Sequence, residues 1–264
     1  MPMARSGEVG IHYEDGGAGE PVVLVPGLGM ATPVWADARR RLEPTCRVLT
    51  VDPRGSGQSG KPAGPYTGDT VAGDLEAVLD DAGVDAAHVV GMSMGGLVAQ
   101  SLAVRRPERV RSLVLVSTYA VADEWLRRAL GFRRRVIEEM GFSAQFELAV
   151  LFVFSPKALR TIPDFVHGLE ERIAANPPDE AAYRAQLDFC LAHDETAALP
   201  GVRVPTLVVS GAEDALTSRF AGRDLAGLVP GAVYREVPEA SHGMVWEEPE
   251  LFASLVAEHV AGVV

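Results

Sequence analysis

Short apolar runs alternate with longer amphipathic ones through the first 120 residues. PVVLV (21–25), CRVLTV (46–51), AAHVVG (86–91) and RVRSLVLVST (109–118) read as strands. Between them WADARRRL (35–42), TGDTVAGDLEAVLDDAG (67–83) and MGGLVAQSLAVRR (94–106) carry helical spacing. Acidic residues stand in the early turns of the second helix, where they complement the positive end of the helix dipole. Apolar strands joined through helices by short loops predict a parallel sheet covered on both faces.

The pattern changes at residue 120. Four segments, 122–140, 143–154, 156–176 and 178–194, all repeat at helical spacing, and none reads as a strand. Pro156 and the pair Pro177–Pro178 fall near helix starts or in the turns before them. Strand signals resume at VPTLVVSG (204–211), followed by a helix near 218–229, a strand AVYREV (232–237) and a last helix over 249–260. The expected organisation is a sheet domain in two parts, 1–119 and 197–264, interrupted by a helical cap or lid over 120–196. The insert is read as a cap because its apolar faces need the sheet's upper edge to pack on, and the sheet needs its last strands.

Composition narrows the function classes. The chain has 264 residues, 47% of them hydrophobic, with a formal net charge of −12. That charge argues against a nucleic-acid partner, because no broad basic surface offsets phosphate repulsion. No apolar run reaches the ~18 residues of a membrane helix, and the first residues lack the apolar core of a signal peptide. Cys46 and Cys190 are far apart and match no metal spacing, so they read as reduced, buried thiols of a cytoplasmic protein. Lys61 and Lys157 are the only lysines among 24 basic residues, a bias that fits a GC-rich genome.

The chemistry begins at GMSMG, residues 91–95. It joins a predicted strand to a predicted helix and fits the G-x-S-x-G turn. Such a turn points Ser93 out over the end of the sheet, and small residues at 91 and 95 let neighbouring chains approach. The N–H of Met94, at the helix start, is then free to bind an oxyanion. The bland alternative is an inert serine in a glycine-bordered turn. A serine nucleophile needs a base, and His242 lies in a loop between the last strand and last helix, where reacting groups gather in open α/β sheets. His88 reads as a packed or surface residue; His12, His167 and His259 lie in segments without convergent polar signal; His193 ends a cap helix beside Asp194. Glu213 and Asp214 both follow a strand and offer an acid to orient the imidazole. The glycine-rich loop VPGLGM after PVVLV nominates the backbone N–H of Leu28 as a second oxyanion donor.

Four blocks, VPGLG (25–29), DPRGSGQS (52–59), GMSMGG (91–96) and the pair SGAED with SH (210–214 and 241–242), together resemble the α/β-hydrolase fold superfamily over nearly the whole chain. Within it, the stretch around residues 64–100 is most like the 3-oxoadipate enol-lactonase and carboxylesterase-like group. The resemblance implies a mostly parallel central sheet flanked by helices, with a helical lid inserted after the sixth strand. It selects Asp214 over Glu213, giving the chain order Ser93, Asp214, His242. It also implies that the DPRGSGQS turn braces the loop near the site. Serine rather than aspartate at position 93 speaks against the dehalogenase and epoxide-hydrolase branches. One departure is Pro26, where many members carry histidine; the backbone donor stays available, without that side chain's bracing of the loop.

The expected activity is hydrolysis of a small-molecule ester or lactone through an acyl-enzyme on Ser93. Other classes stay open: a small-molecule receptor, a lyase or cyclase, a carbon–carbon bond hydrolase or a cofactor-free perhydrolase. Trp125, Phe146, Phe152 and Phe154 are candidates to line an acyl pocket, or else pack between helices. The five arginines of 126–135 read either as a solvated helix face or as a site for an acidic substrate. No dinucleotide fingerprint, phosphate loop or metal-ligand cluster appears, so no cofactor and no metal are expected. Monomer and homodimer both remain open.

Overall fold

The computed structural model describes residues 2–263. Among them eight strands form one sheet: β1 (Met3–Ser6), β2 (Val9–Gly17), β3 (Glu20–Val25), β4 (Cys46–Val51), β5 (Ala87–Met92), β6 (Val110–Val116), β7 (Thr206–Gly211) and β8 (Val233–Val237). The α-helices are α1 (Ala36–Leu42), α2 (Gly68–Asp81), α3 (Met94–Arg105), α4 (Glu124–Met140), α5 (Phe142–Val153), α6 (Pro156–Thr161), α7 (Pro163–Ala175), α8 (Glu180–Ala192), α9 (Arg219–Leu228), α10 (Met244–Glu247) and α11 (Pro249–Ala261). The strand order is β1-β2-β4-β3-β5-β6-β7-β8. β2 runs antiparallel to both its neighbours, and the remaining pairings are parallel. This is the mostly parallel, helix-flanked sheet the resemblance implies.

Successive side chains of a strand point to opposite faces, and both faces here are apolar. Val23, Leu49, Val89, Leu113 and Val208 pack with Leu75 and Leu79 of α2 and Leu97 and Leu102 of α3. Val22, Leu24, Val48, Val90 and Val114 pack on the other side with Leu42 of α1 and Phe252 and Val256 of α11. Trp35 stacks on Phe252 there, with ring centroids 5.8 Å apart. Each such side chain contributes about 1.5–3 kcal/mol on burial, which is why continuous apolar runs mark these strands.

The hydrophobic pattern alone names four strands before the helical segment; the structure has six. β1 and β2 escaped because they form an edge hairpin with polar residues on its open face, and only Ala4 of β1 and Ile11 to Tyr13 of β2 are buried. The segment 156–176 is two helices rather than one. Ile162 precedes Pro163 and takes φ −130°, ψ 43°, since the proline ring disfavours the helical region for the residue before it.

Helices α4 to α8 all lie between β6 and β7. The two ends of this segment meet: Val121 pairs with Asp194, and Glu195 N donates to Ala120 O at 3.3 Å. Three of its helices, α4, α6 and α8, start at side-chain caps, Asp123 accepting from Leu126 N, Ser155 from Ala158 N and Asp179 from Ala182 N. A satellite core of Val150, Val153, Phe154, Val166 and Leu169 seats the segment against Trp246 of α10. Among the described residues no helix is long and apolar enough to cross a membrane.

Candidate active site

Ser93 stands between β5 and α3 with φ 55° and ψ −120°, a conformation that costs a non-glycine residue strain. The surrounding backbone enforces it. Ser93 N donates to Val116 O at 2.9 Å, and Thr118 Oγ1 donates to Ser93 O at 2.8 Å. A Cβ on Gly91 would strike the carbonyl of Gly95, and one on Gly95 would strike the carbonyls of Val25 and Pro26. Glycine at these two positions is therefore a matter of space. Met94 is the first residue of α3, so its N–H has no partner within the helix.

His242 and Asp214 come from the loops after β8 and β7. His242 Nδ1 lies 2.9 Å from Asp214 Oδ2, with both side chains buried. The other carboxylate oxygen of Asp214 accepts Leu216 N at 2.9 Å and Thr217 N at 2.7 Å. A carboxylate only accepts, so Nδ1 is the donor of this bond, an arrangement that in the neutral imidazole leaves the lone pair on Nε2. Ser93, His242 and Leu28 line one cavity, whose free space is about 680 Å³ including its open mouth. Gly27 lies against the serine: a Cβ there would sit 3.8 Å from Ser93 Oγ.

The remaining wall is mostly apolar and comes largely from the helical segment. Phe142, Gln145, Phe146, Ala149, Val150 and Val153 line it from one face of α5. Phe146 and Phe154 both line this cavity. Phe152 and Trp125 do not line the cavity. Phe152 falls off the lining face of α5, whose members recur three or four residues apart. Trp125 is 52% exposed in the first turn of α4 and donates from Nε1 to Ala215 O.

The five arginines of α4 separate. Arg128 pairs with Glu124 and Arg134 with Asp188, Arg127 is exposed, and Arg135 lies over the exposed ring of Phe132. Arg133 is buried and lines the cavity. Its Nη2 donates to Tyr183 Oη at 2.8 Å, and Gln145 Nε2 donates to the same oxygen at 2.7 Å. Burial pushes the Tyr183 phenol pKa up, against the lowering pull of Arg133, so the phenol stays neutral and offers the guanidinium no counter-charge. Among the described residues Arg133 has no carboxylate partner, and Arg133 Nε and Gln145 Oε1 are buried without a hydrogen-bond partner. A signal for Arg133 existed: Leu126, Leu130, Arg133 and Ile137 recur at helical spacing, which places the arginine on the buried stripe of α4.

Three other histidines bond within the scaffold. His12 Nδ1 meets Asp52 at 2.9 Å, and His88 Nδ1 meets Ser112 Oγ at 2.8 Å. His193 lies 3.4 Å from Gln100 Oε1, its pKa pushed down to about 4, first by burial and then by Arg105. Cys46 and Cys190 are free and buried. Among the described residues no group of three or more His, Cys, Asp or Glu side chains is placed to hold a metal ion.

Comparison with known proteins decides the family. Residues 20–249 match the alpha/beta hydrolase fold family. The chain belongs to the α/β-hydrolases. This hydrolase is 33% identical over 256 residues to RutD of Azorhizobium caulinodans, which carries the name of a carbamate hydrolase, with 97% of each chain covered. Its structure superposes on the enol-lactonase of Burkholderia xenovorans LB400 with a TM-score of 0.91 at 28% identity, covering 98% of this chain and 100% of that one. A thermophilic esterase of Thermogutta terrifontis, solved with malate bound, is similar at a TM-score of 0.86 and 29% identity, covering 97% and 94%.

Proposed function

We propose that this hydrolase cleaves a carboxylic ester or lactone of a small, acid-bearing molecule through an acyl-enzyme on Ser93. The observation that carries the reading is the buried His242–Asp214 pair, 2.9 Å apart, whose imidazole lines the same cavity as a serine held at φ 55°. In this mechanism His242 Nε2 takes the Ser93 proton as Oγ attacks the substrate carbonyl. The N–H groups of Met94 and Leu28 receive the oxyanion. The imidazolium, stabilised by Asp214, returns the proton to the leaving alcohol, and water then repeats the sequence to free the acid. The names of the similar enol-lactonase and esterase favour an acyl–oxygen bond; the name of RutD adds carbamates to the panel of substrates to be tried.

The test is a time course with a short p-nitrophenyl ester, with intact-mass detection of the protein. The expected result is serine-dependent turnover and an adduct of acyl mass. A folded protein giving neither product nor adduct would overturn the reading.

Arg133 supplies the preference for an acid. A buried cation without a counter-charge is costly, and a substrate carboxylate provides one at the wall of the cavity. A charge-assisted hydrogen bond of this kind contributes about 1.5–3 kcal/mol, or roughly 10- to 100-fold in affinity. Mono-aryl esters of a dicarboxylic acid are therefore expected to show a kcat/KM that much higher than neutral esters of equal length. Arg133→Met is expected to collapse the ratio, mainly through KM. Equal kcat/KM for the acidic and neutral esters in the wild type would exclude this preference.

A further inference from the structure

We infer that Gln186, on helix α8 of the inserted segment, is a positioning residue that sets the oxyanion donor of Leu28 by holding the loop that carries it. The inference rests on the reading of Leu28 and Met94 as oxyanion donors.

Gln186 is 1% exposed and makes three hydrogen bonds to two separate loops. Its Oε1 accepts from Gly29 N at 2.9 Å, immediately after Leu28. Its Nε2 donates to Arg54 O at 2.8 Å and to Ser56 Oγ at 2.9 Å, both in the DPRGSGQS turn. One N–H must be accepted and a carbonyl must be donated to, so this position needs an acceptor and a donor in one planar group of this length. A glutamine amide meets that need, whereas a carboxylate, an ammonium or an apolar side chain leaves at least one partner unsatisfied. The contacts also fix which way the amide faces.

The loop has little other freedom. Gly29 has φ 73°, and a Cβ on it would lie 2.7 Å from the ring of Tyr183, one turn before Gln186 on α8. The turn packs on the same helix: a Cβ on Gly55 would lie 3.1 Å from Gln186 Nε2 and 3.2 Å from Ala182 Cβ. The turn itself is anchored to the sheet domain, with Asp52 accepting Thr32 N and Gln58 N and with Arg54 bound to Asp74 through two nitrogens. Gln186 thus ties the loop of Gly27 to Gly29 to a turn that is itself held by side-chain bonds. Pro26 has neither a backbone N–H nor a polar side chain with which to do this. On this reading the helical insert does more than roof the cavity: it completes the oxyanion site.

A donor displaced by a few tenths of an ångström costs the transition state more than the ground state. Gln186→Met, of similar length, is expected to lower kcat about 10- to 100-fold, below the 10²–10³ of losing a donor outright, with KM changed less than about threefold. The probe that separates positioning from general damage is an alkylboronic acid, whose trigonal boron accepts Ser93 Oγ to give a tetrahedral adduct with oxygen in the oxyanion site. Its affinity is expected to fall by the same factor as kcat, while that of the free carboxylic acid product stays close to wild type. Gln186→Glu keeps the acceptor for Gly29 N and is expected to recover part of the loss. Ser56→Ala, which removes one anchor of the amide and leaves the fold of α8 alone, is expected to show a smaller loss of the same kind and serves if the Met variant does not fold.

A kcat and boronate affinity near wild type in Gln186→Met, or in Ser56→Ala if it alone folds, would overturn the inference. So would equal losses for boronate and product, or a Glu variant no better than Met. Wild-type protein that fails to bind boronate at all would overturn both this inference and the serine-hydrolase reading. Wild-type binding with an unaffected variant overturns the inference alone.

Discussion

Ser93→Ala is expected to lower kcat by roughly 10³–10⁶ while leaving the protein folded. The change removes one oxygen and keeps Cβ. The strained backbone of position 93 is imposed by neighbours that do not involve the hydroxyl: Val116 O on its N–H and Thr118 Oγ1 on its carbonyl. Gly91 and Gly95 keep the same close approaches. The melting temperature is therefore expected to stay near that of wild type, and the acyl adduct to vanish from the mass spectrum. The residual turnover expected is that of the proposed oxyanion donors and the bound substrate acting on water. Wild-type kcat in a folded Ser93→Ala protein would remove Ser93 from the chemistry.

Asp214→Asn is expected to cost about 10⁴ in kcat, and the structure says why it is more than the loss of a charge. The two backbone N–H groups of Leu216 and Thr217 both donate to Oδ1. In the variant the amide oxygen must stay on that side, because an NH₂ group there would face two donors. The Asn NH₂ is thereby forced toward His242 Nδ1, now as a donor. Nδ1 must accept, the imidazole proton moves to Nε2, and the nitrogen proposed to take the serine proton loses its lone pair. The expected signature is a large fall in kcat with a small change in KM and a melting temperature within a few degrees of wild type. Retention of more than about a tenth of wild-type kcat would show that Asp214 does not govern the tautomer.

Much of this was legible along the chain. The apolar runs at 21–25, 46–51, 86–91 and 109–118 became β3 to β6 because strands covered on both faces must be apolar throughout. Ser93 and His242 could be nominated because each follows a strand, and the ends of neighbouring parallel strands meet on one edge of the sheet, whereas Asp214 was chosen over Glu213, which follows the same strand, by the family resemblance. The edge hairpin over 3–17 was not legible, since a strand with one open face carries polar residues. Trp125 and Phe152 were nominated by residue type, but orientation about a helix axis decides whether an aromatic ring reaches a cavity. Arg133 read as one of five arginines, although its spacing with Leu126, Leu130 and Ile137 already placed it on the buried stripe of α4, and burial then singled it out.

The sequence by itself determined the apolar strands β3 to β8, the helical segment between β6 and β7 and the glycine-bounded turn at Ser93, because local spacing and residue size specify those features. Only the tertiary structure decided that Asp214 reaches His242, that Arg133 faces the cavity without a counter-charge, and that Gln186 bridges Gly29 to Arg54 and Ser56. The physical reason is separation along the chain: Gln186 lies 157 residues from Gly29 and 132 from Arg54. Contacts of that kind depend on how helices dock and rotate against the sheet, and no local pattern of apolar and polar positions encodes that rotation.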